Sequence, residues 1–135
     1  MANALFDIGR EFFLGGDLDW DAHNFKLVFV DHGVDTPVPA TDQNLSDITA
    51  GARVATSGNL ANKTKTAGVA DADDITLTAV TGASIESLVI YRDTGVAGTS
   101  TLVVFIDTAT GLPFTPSGSD VTVRWDSGAN RIFKL

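Results

Sequence analysis

Short Val/Ile/Thr/Phe-rich runs, some of them alternating apolar and polar positions with a period of two, are separated along this chain by Gly, Asp, Asn and Pro. That is the pattern of β-strands joined by turns. Strands are predicted at 25–30, 53–60, 63–70, 74–80, 88–91, 102–106, 121–125 and 131–135. Ile75, Leu77 and Ala79 alternate with Thr76 and Thr78, as in a strand with one buried face. Val121, Val123 and Trp125 alternate with Thr122 and Arg124 in the same way. Only one segment has helical spacing: in residues 2–14, Leu5, Ile8 and Phe12 fall on one stripe, which Phe6 and Phe13 widen. Gly15-Gly16 is the expected stop, because glycine enters the left-handed turn that ends helices. Leu45-Ser46-Asp47-Ile48 reads as a single helical turn.

Many short strands with frequent turn residues predict an all-β fold, an antiparallel two-sheet sandwich (jelly-roll-like) with one N-terminal amphipathic helix. At 135 residues the chain reads as a single domain, 1–135, with an N-terminal helix or arm at 1–16 and the sandwich at 25–135. The strands at 25–30, 88–91 and 102–106 are apolar on both faces. A free antiparallel sheet usually leaves one face polar, so something must cover the second face. The N-terminal helix and a partner subunit are the two candidate covers.

Charge narrows the partners. The net charge is −8, which opposes a phosphate backbone and argues against nucleic acid. Residues 1–50 hold Arg10 and Lys26 against nine carboxylates: Asp7, Glu11, Asp17, Asp19, Asp21, Asp31, Asp35, Asp42 and Asp47. This half is either a solvated acidic face or a patch that pairs with a basic surface. No run approaches the ~18 apolar residues of a membrane span. No basic segment precedes an apolar stretch at the N-terminus. The chain is therefore expected to be soluble and made in a cytoplasm.

The sequence offers little chemistry. With no cysteine, neither a disulfide framework nor a Cys-ligated zinc is open to it. Asp17-x-Asp19-x-Asp21 starts like a calcium loop. However, Ala22 stands where an EF-hand needs its turn glycine and Val28 where it needs the bidentate glutamate. His23 and His32 lie near Asp19, Asp21, Asp31 and Asp35, yet no G-x-S-x-G or S-x-x-K accompanies them, so both read as solvated loop residues. Carboxylates around Trp20 imitate a glycosidase pair only weakly. Gly95-Val96-Ala97-Gly98 lacks the strand-to-helix setting of a phosphate loop. No catalytic residue, cofactor site or metal site is expected. Trp20 is a candidate for stacking on sugars, while Tyr91 and Trp125, in strand runs, read as core.

Five stretches, in order, run nearly end to end: MANALFDIGREFFLGG at 1–16, LSDITAGARVATSGNL at 45–60, GVADADDITLTAVTG at 68–82, LVIYRDTG at 88–95 and IDTATGLPFTPSGSDVTVRWDSGANRIFKL at 106–135. In these the sequence resembles the small cement (decoration) proteins on the heads of short-tailed bacteriophages, of the Bordetella-phage type. The resemblance implies a jelly-roll-like sandwich that pairs as a homodimer and sits on the outer capsid surface of the virion. There it would straddle neighbouring major capsid protein subunits and stiffen the shell. It brings no catalytic residues. The segment 32–44 lies outside the matching stretches and is expected to set contacts particular to this virus. Interface contacts are then expected from the N-terminal helix (Phe6, Phe12, Phe13), the 32–44 loop (Val34, Pro37, Val38) and one sheet edge. The alternative is a tail-fibre or spike module binding host surface glycans, for which Trp20 is the clear loop aromatic.

Overall fold

The computed structural model describes residues 3–135. Strand β1 (Ala4–Leu5) precedes helix α1 (Asp7–Gly15). Eight further strands follow: β2 (Phe25–Val30), β3 (Arg53–Thr56), β4 (Val69–Ala70), β5 (Ile75–Leu77), β6 (Ser87–Arg92), β7 (Leu102–Ile106), β8 (Val121–Val123) and β9 (Phe133–Lys134). One five-stranded sheet has the order β1-β7-β6-β2-β3; β4-β9 and β5-β8 form two separate two-stranded ladders. All pairings are antiparallel. The chain is thus mostly β, with antiparallel sheets and one helix, as the periodicity predicts.

Helix α1 is shorter than its apolar stripe. Residue 2 lies outside the described residues, and Ala4 and Leu5 pair with Phe105 and Val104 of β7. The Phe6 N–H continues that ladder by donating to the Val103 carbonyl at 2.9 Å, with Phe6 itself extended. A backbone held by β7 cannot turn into a helix until Asp7. The stop is as expected: Gly16 has φ +81°. The Asp17 and Gly16 N–H groups close back on the Phe12 and Phe13 carbonyls, the 6→1 and 5→2 bonds of a glycine-terminated helix.

Several strands are also shorter than their runs. The run 63–70 pairs only at Val69–Ala70 and through an isolated bridge from Thr64 to Asp71, with a 3-10 turn at Thr66–Gly68 between them. Its Thr/Lys stretch has no apolar face to hold against a core. The turn at Leu45–Asp47 forms where expected, as a 3-10 turn.

The central sheet is buried on both faces, and this chain supplies both covers. On the first face, Phe25, Leu27, Phe29, Leu88 and Ile90 join Trp20, Leu60, Leu77, Ile85 and Phe133 in one cluster. Trp20 packs on Phe25 with ring centres 4.7 Å apart, and Phe114 meets Phe29 edge-on at 5.6 Å. On the second face, Val28, Val30, Val89, Tyr91, Leu102 and Phe105 meet Phe6, Leu45, Ile48 and Ala52. The cover expected from the helix therefore comes from Phe6, just before α1, and Ile8 in its first turn, together with the segment 32–52. Burial holds the Tyr91 phenol up at about 12.

Two irregularities make the double cover possible. The β6–β7 register slips between Ile90 and Tyr91, leaving Val103 as an extra residue. Leu102 and Phe105, three apart, consequently share the second face, while Val103 and Val104 share the first. The β2–β3 register slips likewise opposite Val54. A bulge adds one residue and resets the alternation. Helix α1 sits directly on the β7 bulge through Gly9, where an added Cβ would lie 2.9 Å from the Leu102 carbonyl oxygen and 3.0 Å from Val103 Cα.

Gly9→Ala is expected to destabilise the fold by about 1–2 kcal/mol, because a methyl group there must push the helix off β7. Helix propensity alone would favour alanine by up to ~1 kcal/mol. Urea denaturation separates the two: a stabilised variant would show that the close approach is unimportant.

Candidate functional site

The six residues expected at an interface separate into two kinds. Phe6 is fully buried and meets Phe105 edge-on at 6.4 Å. Pro37 is buried too, and Phe12 and Phe13 are half-buried against the first-face core. Phe13 packs on Phe133 at 5.8 Å. Phe6, Phe12 and Phe13 pack within the monomer, and in this conformation the buried Phe6 and Pro37 cannot meet a partner. Val34 (54%) and Val38 (44%) are exposed. Leu14 (90%) and Val96 (60%) are exposed as well. Their signal was present in the chain: Leu14 falls after the apolar stripe, and Val96 is a β-branched residue in a glycine-flanked turn.

The loop that carries Val34 and Val38 is tied down at every turn. The Asp31 carboxylate accepts from the Gly33 N–H at 2.8 Å. Asp35 accepts from both the N–H and the hydroxyl of Thr49, at 2.7 and 2.8 Å. Asp42 accepts from the Val38 N–H at 2.8 Å. Asp47 accepts from the N–H groups of Gln43 and Asn44 at 2.8 and 3.0 Å. The Pro39 carbonyl accepts from the Asp7 N–H at the start of α1. The acidic loop is therefore a braced platform, and its carboxylates are the braces.

Those roles separate their proton affinities. Backbone donation from Asn44 and Gln43 holds Asp47 below the ordinary carboxylate range. Asp93 is held low by the Gly95 N–H and then by Lys26, 3.0 Å away. Burial pushes Asp42 up, the Val38 N–H opposes this, and the charges of Asp47 and Asp35 add to the rise.

The histidines and Trp20 are structural, which corrects the solvated-loop reading. His32 Nε2 lies 2.7 Å from the Ser87 hydroxyl, and its ring stacks on Phe105. Ser87 is fully buried, so its hydroxyl cannot meet a substrate. Glu86 is occupied by the His32 N–H and the Ser84 hydroxyl. His23 Nδ1 accepts from the Asp19 N–H, while the Asp19 carboxylate accepts from Asp21 and Ala22. The Asp-rich start is a closed turn, and Asp21 pairs with Lys65. Trp20 is only 5% exposed, and its indole N–H donates to the Asp71 carbonyl. No sugar can stack on it. Among the described residues, no three His, Asp or Glu side chains are placed to hold a metal ion, and no helix is long and apolar enough to cross a membrane.

A second surface was not legible in the sequence. An open groove of about 1080 Å³ runs between the β1–β7 edge and strands β8 and β9. Leu5, Leu88, Val104, Ile106, Val123 and Ile132 contribute apolar lining. Arg10, Arg124, Arg131 and Lys134 line it too, with Asp126 as the one carboxylate. Four of the chain's nine cations thus gather at one groove of an acidic protein. No protein-family model matches this chain, and no curated protein matches it.

The carboxylate shifts set a pH dependence. Asp47 and Asp93 have folded values below 3.8, so their stabilisation is present above that pH and is lost as pH falls through the folded values. Asp42, raised above 3.8, has the opposite sign: its buried charge costs stability at neutral pH, and protonation relieves that cost. Asp42→Asn keeps an acceptor for Val38 and is expected to raise the urea midpoint at pH 7, with the gain shrinking as pH falls through the raised folded value toward the ordinary carboxylate range. Asp47→Asn is expected to lower the midpoint at pH 7. A reversed order of the two variants would exclude the bracing roles assigned to them.

Proposed function

We propose that this chain is a structural virion protein that binds the outer surface of a bacteriophage capsid and cements neighbouring major capsid protein subunits. On this reading it acts as a homodimer with a jelly-roll-like sandwich, carries out no chemical transformation and needs no cofactor. The observation that carries the reading is the ordered, nearly end-to-end set of sequence stretches resembling phage cement proteins of the Bordetella-phage type.

Physical features support it. A cement must be rigid before it can stiffen anything. Here a sheet sealed on both faces underlies a loop whose carboxylates are spent on internal hydrogen bonds. Val34 and Val38 project from that loop. One small apolar contact is weak, but copies repeated by capsid symmetry gain avidity. The net charge of −8 suits an outer position, away from packaged DNA. The glycan-binding alternative loses its residue, because Trp20 is buried.

Quantifying the chain against the major capsid protein in purified heads tests the reading. Many copies per head is the expected result, and a handful would point to a tail or fibre part. Val34→Asp and Val38→Asp together are expected to reduce co-sedimentation with heads by about tenfold or more, since each charge must be desolvated at the contact. Both sites are exposed, so the melting temperature is expected to shift by only a few degrees. Unchanged co-sedimentation would remove the 32–44 loop from the interface.

A further inference from the structure

We infer that the groove between the β1–β7 edge and strands β8 and β9 receives an extended, acidic–apolar peptide segment of a partner protein. The inference deepens the cement reading by naming the chemistry of one partner, and it rests on that reading only for the partner's source.

The lining has two chemistries, in different places. Leu88 and Val104, almost fully buried, form a floor on the first face of the central sheet, and Leu5, Ile106 and Val123 are half-buried along it. The cations stand around it. Arg10 is shared with Asp7 at 3.0 Å, and Arg131 lies 3.9 Å from Asp71. Arg124 and Lys134 have no ion pair among the described residues. A ligand that satisfies both parts needs carboxylates at the rim and apolar groups on the floor. Alternation of the two is what an extended strand supplies, because successive side chains point to opposite sides.

The backbone favours the same ligand. Of the strands that line the groove, three pair on one side only: β1 at the edge of the central sheet, and β8 and β9 in their two-stranded ladders. An unpaired strand offers N–H and C=O groups to an incoming chain. The volume, about 1080 Å³, lies just above that of ligand clefts, roughly 300–1,000 Å³. A polyphosphate chain would satisfy the cations but leave the apolar floor unused.

The test uses the full chain and a capped peptide of about eight alternating aspartate and valine residues, the length of a longer strand. Fluorescence anisotropy is expected to show saturable binding that weakens as salt is raised. The double variant Arg124→Glu/Lys134→Glu is expected to bind the peptide about tenfold more weakly or worse, with an unchanged melting temperature, since both side chains are exposed. No saturation, equal binding of a lysine–valine control, or tighter binding of a single-stranded oligonucleotide would each overturn the inference. A chain that decorates heads but ignores the peptide overturns the groove alone. A chain that takes the peptide but is absent from heads overturns the cement reading and leaves the groove standing.

Discussion

A sheet that is apolar on both faces cannot stand in water, and every other part of this fold answers that constraint. Burying one large apolar side chain contributes about 1.5–3 kcal/mol. The second face alone holds Val28, Val30, Val89, Tyr91, Leu102 and Phe105. The chain covers them with its own residues: Phe6 at the start of α1, and Leu45, Ile48 and Ala52 from the connection between β2 and β3. That connection has to stay in place to act as a cover. Hence its turns are fastened by Asp31, Asp35, Asp42 and Asp47, each accepting from a nearby backbone N–H.

The acidity of the first half of the chain therefore has a local mechanical cause. Carboxylates are strong acceptors for backbone N–H groups, and a loop without regular pairing needs such acceptors. A consequence is the uneven charge of the molecule. Lys26 and Lys65 are paired with Asp93 and Asp21, while Arg10, Arg124, Arg131 and Lys134 collect at the groove. The platform bearing Val34 and Val38 covers the second face of the central sheet. The groove opens over the first. If both proposals hold, the two contact surfaces would lie on opposite faces of one sheet, the arrangement that joining two neighbours calls for.

Residues that resemble chemistry in one dimension turn out to be packing in three. His32 is bonded to a buried serine and stacked on Phe105; His23 and Asp19 close a turn; Trp20 fills the core between Phe25 and Phe133. Phe6 went the same way, because a large apolar side chain beside an uncovered face is drawn onto that face, while Phe12 and Phe13 lie half-buried against the first-face core. Val34 and Val38 stay outside.

The sequence by itself determined the class of structure: short β-branched and aromatic runs between turn residues marked the strands, Gly15-Gly16 ended the helix, and the doubly apolar runs announced that a sheet needed two covers. These features are local, since side-chain direction repeats every two or 3.6 residues. What covers the sheet, which carboxylates brace the loop, and how Arg10 comes to stand with Arg124, Arg131 and Lys134 were decided only by the tertiary structure. Those relations join residues up to the whole length of the chain apart. They depend on strand register and on two single-residue bulges, at Val54 and Val103, which no periodicity in the sequence records.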